Sequence, residues 1–233
     1  VDLLLVSIGG PPDPCTPDEL RRAGAGSVEV LDRDDWSHTL KAAAERLAGA
    51  GGDRRLVLQT TPAALGPGLR LLLRAGVLDT ADTAVLTPDP PRYLRAAGLP
   101  TARPDQLTVA VTGVARTVGV IKDDSGGVCV DSATVSPWRA EEPWWCRAVV
   151  DDQPLCDGTV RAIDVRRLGP GELEATVRLG RWRSRTCRGR SLQLACDDAQ
   201  VITDGLGRER PRGRRTFWSE PTLWRLALPP AAR

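Results

Sequence analysis

The sequence predicts an α/β domain followed by an all-β domain. Over the first ~120 residues, continuous apolar runs alternate with stretches of helix formers at βα spacing, which implies a parallel sheet. After Gly113 the texture changes to β-branched, roughly alternating runs separated by Gly, Pro or Asp turns. Five or more such runs in about 100 residues imply an antiparallel β-sandwich. The expected division is 1–113 for the α/β domain, 114–216 for the sandwich, and 217–233 for a last strand and tail. Whether that strand, Thr222 to Leu228, stays in the sandwich or returns to the first domain is open at this point. No internal repeat is visible.

Leu3 to Ser7 is a continuous apolar run, as expected of a strand covered on both faces. Val28 to Leu31 is a short second strand. Trp36 to Ala50 is rich in helix formers, with Asp34 or Asp35 as N-cap, and Gly51-Gly52-Asp53 reads as its C-cap. Leu56 to Gln59 is the third strand and Leu69 to Leu78 a helix. Ala84 to Leu86 is the fourth strand, followed by a proline-laden turn, a short helix over Arg92 to Ala97 and another over Pro104 to Val111. In the second half, VGVIKDDSGGVCVDSATV reads as a hairpin turning at DDSGG. RAVVDDQPL, TVRAIDVRRL, ELEATVRLGRW, SLQLACDDAQVIT and TLWRLAL are the further strands.

The chain of 233 residues is 41% hydrophobic and 27% charged, ordinary for a globular protein with a sizeable core. A formal charge of +2 selects no partner class. Lys41 and Lys122 are the only lysines, so 30 of the 32 basic residues are arginine, as a GC-rich bacterial genome produces. No apolar run approaches the ~20 residues that span a bilayer. VDLLLVSIGG lacks a basic leader and a cleavage site and reads as a strand, not a signal peptide. The six cysteines show no C-x-x-C spacing and are expected to be reduced thiols in a cytoplasmic protein. Cys129 and Cys196 read as small core residues. His38, the only histidine, excludes a multi-histidine metal site.

The stretch LVLQTTPAALGPG, Leu56 to Gly68, runs from a strand through a turn into a helix, the place where α/β folds grip phosphate. A phosphate cradle needs converging backbone N–H groups, with glycine allowing close approach. Gln59, Thr60, Thr61 and Pro62 supply neither a glycine pair nor a lysine. Proline has no N–H, so Pro62 removes a donor. These residues suit a helix start instead, with Thr61 as N-cap and Pro62 at the first helical position. A hydroxyl of Thr60 or Thr61 donating to an anion is the remaining alternative.

Several stretches, in order, resemble the diacylglycerol kinase catalytic-domain family. Ala84-Val85-Leu86 followed by TPDPPRYL and Arg95-Ala96-Ala97-Gly98-Leu99-Pro100 is similar to the family's strand, loop and R-A-L-G-L-P. GVARTVGVIKDDSGGVCVDSATV is similar to its G-x-x-R-x-x-D-L-G strand pair, and RGRSLQLACDDAQVITDGLGRER to the strands ending in D-G-E, through Asp204-Gly205. The resemblance implies a NAD-kinase-like α/β nucleotide domain followed by a β-sandwich. It places the family's G-G-D-G-T on Gln59-Thr60-Thr61-Pro62-Ala63 and its G-T-G-N-D on Pro88-Asp89-Pro90-Pro91-Arg92, and neither motif is retained. Pro88, Pro90 and Pro91 remove three more N–H donors. The resemblance further lays Cys156-Asp157-Gly158-Thr159-Val160 over a segment whose aspartate acts as the base on the lipid hydroxyl, which would make Asp157 catalytic. VVDDQPLCDG also aligns to an earlier family turn, in which Asp157 is only a turn residue. The segment between Val135 and Trp144 is shorter than in active relatives.

The acidic pairs Asp123-Asp124, Asp151-Asp152 and Asp197-Asp198 lie beside turns without ligand spacing and read as solvated; no metal is expected. RWRSRTCRGR (181–190) and RERPRGRR (208–215) each hold five arginines. Arg181, Arg183 and Arg185 alternate, so on a strand they share one face. With Trp182, Phe217, Trp218 and Trp224 nearby, and Arg212, Arg214 and Arg215 further on, they suit an anionic membrane surface. Nucleic acid is a lesser alternative, and a solvated strand edge with core tryptophans the plain one. Pro143 to Cys146 reads as core or interface packing.

The expected function is therefore a lipid-kinase-like pseudokinase with degenerate ATP-binding loops. It would bind a lipid, an anionic membrane surface or a protein partner, and be cytoplasmic or peripheral at the membrane. The alternative is a divergent ATP-dependent lipid kinase using ATP and Mg with Asp157 as base; a nucleic-acid-binding module ranks third. Oligomeric state is not legible.

Overall fold

The computed structural model describes residues 1–11, 13–32, 35–49, 54–139, 144–204, 207–209 and 213–230. Asp34, the Gly51-Gly52-Asp53 cap, Pro143, Gly205 and Arg212 lie outside them. The chain divides into two compact units, Val1–Val118 with Leu223–Arg233, and Gly119–Thr222.

The first unit contains β1 (Asp2–Ile8), α1 (Thr16–Arg22), β2 (Ser27–Leu31), α2 (Trp36–Ala48), β3 (Arg54–Thr60), α3 (Pro62–Arg74), β4 (Thr83–Leu86), α4 (Arg92–Ala96) and α5 (Arg103–Thr112). Its strands are parallel in the order β2-β1-β3-β4, and Leu226 near the chain's end pairs in parallel with Thr83. Leu3–Val6 and Arg55–Leu58 are buried residue after residue, because a parallel sheet is covered on both faces. Asp35 caps α2 by accepting from the Ser37 amide at 2.8 Å. The helix expected over Leu69 to Leu78 starts at Pro62, since Thr61 is extended and Pro62 occupies the first turn; Gly66, Pro67 and Gly68 lie inside it. α1 was not expected. Its signals are Pro17, Asp18 and Glu19 in the first turn, obscured by the prolines before them.

β5 (Val114–Asp123) leads into the second unit, followed by β6 (Val128–Cys129), β7 (Ser132–Pro137), β8 (Trp144–Val150), β9 (Gln153–Val160), β10 (Ala162–Gly169), β11 (Glu172–Arg178), β12 (Ser184–Gly189), β13 (Ser191–Cys196), β14 (Ala199–Thr203), β15 (Gly207–Glu209) and β16 (Arg214–Leu228). One antiparallel layer runs β16-β13-β8-β9, with β5 against β16 and β6; the other runs β12-β11-β10-β7-β14-β15. Val135, Ile163, Val165 and Val177 of one layer and Cys146, Val150, Leu192 and Phe217 of the other fill a common core. This is a β-sandwich.

Three acidic residues pin its turns. Asp204, in the left-handed region at φ 48°, accepts from the amides of Val130, Asp131 and Ser132 at 2.9, 2.8 and 3.1 Å. Asp151, at φ 49°, accepts from the amides of Arg190 and Ser191 at 3.0 Å. Asp123 accepts from Ser125 and Gly127 at 2.8 and 2.9 Å and is buried, which corrects its reading as a solvated turn residue.

Candidate functional site

In a parallel α/β sheet, ligands bind beyond the carboxyl ends of the strands. Here those ends are Ile8 of β1, Thr60 of β3 and Leu86 of β4. β3 passes into α3 through Thr61 alone. Thr60 is buried and its hydroxyl donates to the Thr61 carbonyl at 2.9 Å, while Thr61 is exposed and its side chain makes no cap bond. Gly9, at φ 79°, closes β1 against the first turn of α3, so that a Cβ there would overlap the Cβ of Ala64 and sit 3.0 Å from Thr61 Oγ1.

The second turn is held from below. Gln106 of α5 accepts from the Thr87 amide at 2.9 Å and donates to the carbonyls of Thr87 and Pro100, each at 3.0 Å. Pro88 and Asp89 are exposed, Pro90 is buried, and Asp89 pairs with Arg95 at 3.5 Å. Sequence reasoning missed Gln106, because nothing in its neighbourhood distinguishes it from a surface glutamine. Ser7 Oγ, Gln59 Oε1 and Thr87 Oγ1, around the same strand ends, are buried with no hydrogen-bond partner among the described residues.

In the second unit, Asp157 lies within strand β9, which corrects its reading as a turn residue. It faces solvent opposite Arg147, with Asp157 Oδ2 3.8 Å from Arg147 Nε. Among the described residues no group of three His, Cys, Asp or Glu side chains could hold a metal ion.

The described arginines of the two stretches lie in different elements. Leu179 N donates to Arg183 O at 2.8 Å, closing the β11–β12 hairpin, so Gly180, Arg181 and Trp182 form its tip. Arg181 and Arg183 are therefore in the turn, and only Arg185 is in the strand; the shared strand face expected for the three does not form. Trp182 is 87% exposed, with the Arg181 guanidinium 5.2 Å from its ring centroid, and Leu179 is 40% exposed. The strand pairings put Trp145, 43% exposed, and the exposed Arg161 at the same end of the sandwich. The exposed Asp197 and Asp198 are also at that end, beside β14, three strands along from β11. Arg215 does not belong to this surface: it is 7% exposed and lies 3.6 Å from Asp123 and 3.4 Å from Asp124. Arg214 is exposed at the start of β16. Phe217 and Trp224 are core residues, and Trp218 is half-buried with Lys122 over its ring at 5.6 Å, so among the four rings expected at the surface Trp182 is the exposed one.

A parallel α/β unit followed by an antiparallel sandwich, with the last strand returning to the first sheet, is the fold of diacylglycerol kinases and NAD kinases. The chain is similar over 99% of its length to a diacylglycerol kinase structure from Bacillus anthracis, with a TM-score of 0.75, 12% identity and 97% of that chain covered. It is similar over 98% of its length to an NAD kinase from Archaeoglobus fulgidus in complex with ATP, with a TM-score of 0.63, 12% identity and 93% of that chain covered. A yeast NADH kinase complexed with NADH matches at a TM-score of 0.57 and 8% identity, over 97% of this chain and 82% of its own. No family model and no curated protein matches the sequence.

Proposed function

We propose that the protein is a lipid-kinase-like fold that no longer transfers phosphate and instead docks on anionic membrane surface. The observation that carries the first part is the β3–α3 junction. A triphosphate needs several amides turned toward it and room above them. Here one residue links strand to helix, Pro62 lacks an N–H, and Gly9 lies against the helix's first turn. At β4 the Thr87 amide is already bonded to Gln106, and three prolines follow. The residues present do not fit ATP.

Docking is supported by the β11–β12 tip. An exposed indole sits at headgroup depth, and guanidinium groups meet lipid phosphate. Arg181 and Trp182 at the turn, with Leu179 and Arg183 beside them, provide both. Asp157, paired with Arg147, needs no catalytic role.

The unpaired Ser7, Gln59 and Thr87 atoms favour a second reading, a divergent ATP-dependent lipid kinase whose phosphate contacts come from side chains. Calorimetric titration with Mg-ATP separates the two: no measurable heat is expected, and micromolar binding overturns the loss of nucleotide. Flotation with phosphatidylglycerol-containing vesicles tests docking. Wild type is expected to float and Trp182→Ala/Arg183→Glu to stay at the bottom; equal partitioning removes the membrane. Retention on single-stranded nucleic acid with a steep salt dependence, without flotation, would favour the nucleic-acid alternative.

A further inference from the structure

Cys146 and Cys156 lie on consecutive strands, β8 and β9, and the strand register brings the distant Cys196 of β13 into one row with them. Cys196 of β13 stands directly opposite Cys146 of β8. The Asp151 amide donates to Ser191 O at 3.0 Å, so the hydrogen-bonded pairs of this ladder are 151 with 191, 149 with 193 and 147 with 195. Cys146 and Cys196 are therefore a non-hydrogen-bonded pair, whose Cα atoms approach to about 4.5 Å. That separation lies inside the roughly 4.4–6.8 Å that a disulfide bridges. On the other side, Ala148 pairs with Cys156, which makes Cys156 the diagonal neighbour of Cys146 on the same core-facing side. Its Sγ reaches Cys146 O at 3.7 Å.

The three thiols differ in environment. Cys146 and Cys196 are buried, whereas Cys156 is partly open on β9, the edge strand of its layer. The neighbouring thiols, Cys156 first and then Cys196, push the Cys146 thiol up. The contact with Cys146 pulls Cys156 down, against the effect of burial, with help from the Ala148 backbone and the charge of Arg185. Cys156 thus combines a lowered thiol pKa with access from solvent on an edge strand, the two conditions that favour reaction with an oxidant.

We propose that Cys156, Cys146 and Cys196 form a thiol relay that reacts with hydroperoxides and stores the oxidation as a disulfide across β8 and β13. The Cys156 thiol gives up its proton, the thiolate attacks one peroxide oxygen, the O–O bond breaks, and that proton joins the second oxygen, which leaves as water (or as the alcohol of an organic hydroperoxide). Cys156 is then a sulfenic acid. With Cys156 oxidised, the contact that held the Cys146 proton is gone. Cys146 attacks that sulfur as edge strand β9 closes the roughly 7–8 Å diagonal, and its proton departs with the hydroxyl as a second water, giving a Cys146–Cys156 disulfide. Cys196 attacks the Cys146 sulfur, forms the Cys146–Cys196 bond and releases Cys156 as a thiol. The peroxide gains two electrons and two thiols lose them. The row is linear across three strands, so it does not form the closed donor set that a metal requires.

The test is hydrogen peroxide added to the reduced protein in one equivalent, followed by alkylation and peptide mapping. The wild type is expected to lose two free thiols and yield the Cys146–Cys196 linked peptide. Cys196→Ser should stop at Cys146–Cys156, and Cys156→Ser should react about tenfold more slowly or worse. Sulfinic acid at Cys156 without any linked peptide, oxidation confined to the exposed Cys15, or an undiminished rate in Cys156→Ser would each overturn the relay. The wild-type map needs no variant to fold.

Discussion

The Arg55 guanidinium ends the last helix of the first unit: its Nη1 and Nη2 donate to Ala110 O and Gly113 O, each at 2.8 Å. A buried cation at a helix C-terminus satisfies carbonyls left over by the i→i+4 ladder and meets the negative end of the helix dipole. Burial pulls the Arg55 pKa down, opposed by Asp82, yet a guanidinium keeps its charge at neutral pH. Arg55→Ala leaves those carbonyls without this donor and is expected to cost about 2–4 kcal/mol, measured as a shift in urea midpoint at unchanged slope.

Two aspartates of the sandwich should give opposite pH signatures. Burial raises Asp204 above the usual carboxylate value, against the three amides that lower it. Its folded form holds the proton more tightly than the unfolded chain does. Its contribution is therefore complete below the unfolded pKa and is lost as pH rises through the folded one. Asp164 is also penalised by burial, but bonds from Arg178 at 2.7 Å and from Thr134 outweigh this and lower it. Its contribution is present above the unfolded pKa and lost as pH falls through the folded one. Urea midpoints between pH 3 and 8 should show Asp204→Asn gaining on wild type toward neutral pH and Asp164→Asn losing.

How far the sequence revealed this molecule depends on the range of each interaction. Leu3–Val6 and Leu56–Leu58 were legible because burial on both faces writes an unbroken apolar run. The DDSGG hairpin was legible because a turn is local, and β5 and β6 pair across it. Arg215 was misread because its partners Asp123 and Asp124 are far back in the chain. Alternation at Arg181, Arg183 and Arg185 implied a common face only on condition of a strand, and the turn at Trp182 breaks that condition. Gln106 and the cysteine row depend on helix docking and strand register, which no residue pattern announces.

Gln106 is the cheapest probe of the β4–α4 turn. Gln106→Ala leaves the Thr87 amide and the carbonyls of Thr87 and Pro100 without their side-chain partner, in a place 2% exposed. A loss of about 1–3 kcal/mol is expected in chemical denaturation. Faster amide exchange at Thr87 should accompany it. Unchanged exchange there would show that the turn does not depend on this side chain.

Membrane docking should divide into electrostatic and apolar parts. Each arginine near an anionic surface contributes roughly 1 kcal/mol, so Arg181→Gln/Arg183→Gln should weaken vesicle partitioning by about 30-fold at low salt. The deficit should shrink as salt rises and screens the surface potential. Trp182→Ala removes an 87% exposed indole and should lower partitioning on anionic and neutral vesicles alike, with little salt dependence. Vesicle partitioning across a salt series reads both slopes in one experiment. If the tryptophan variant loses affinity only at low salt, the ring is steadying the Arg181 guanidinium 5.2 Å away and is not entering the bilayer itself.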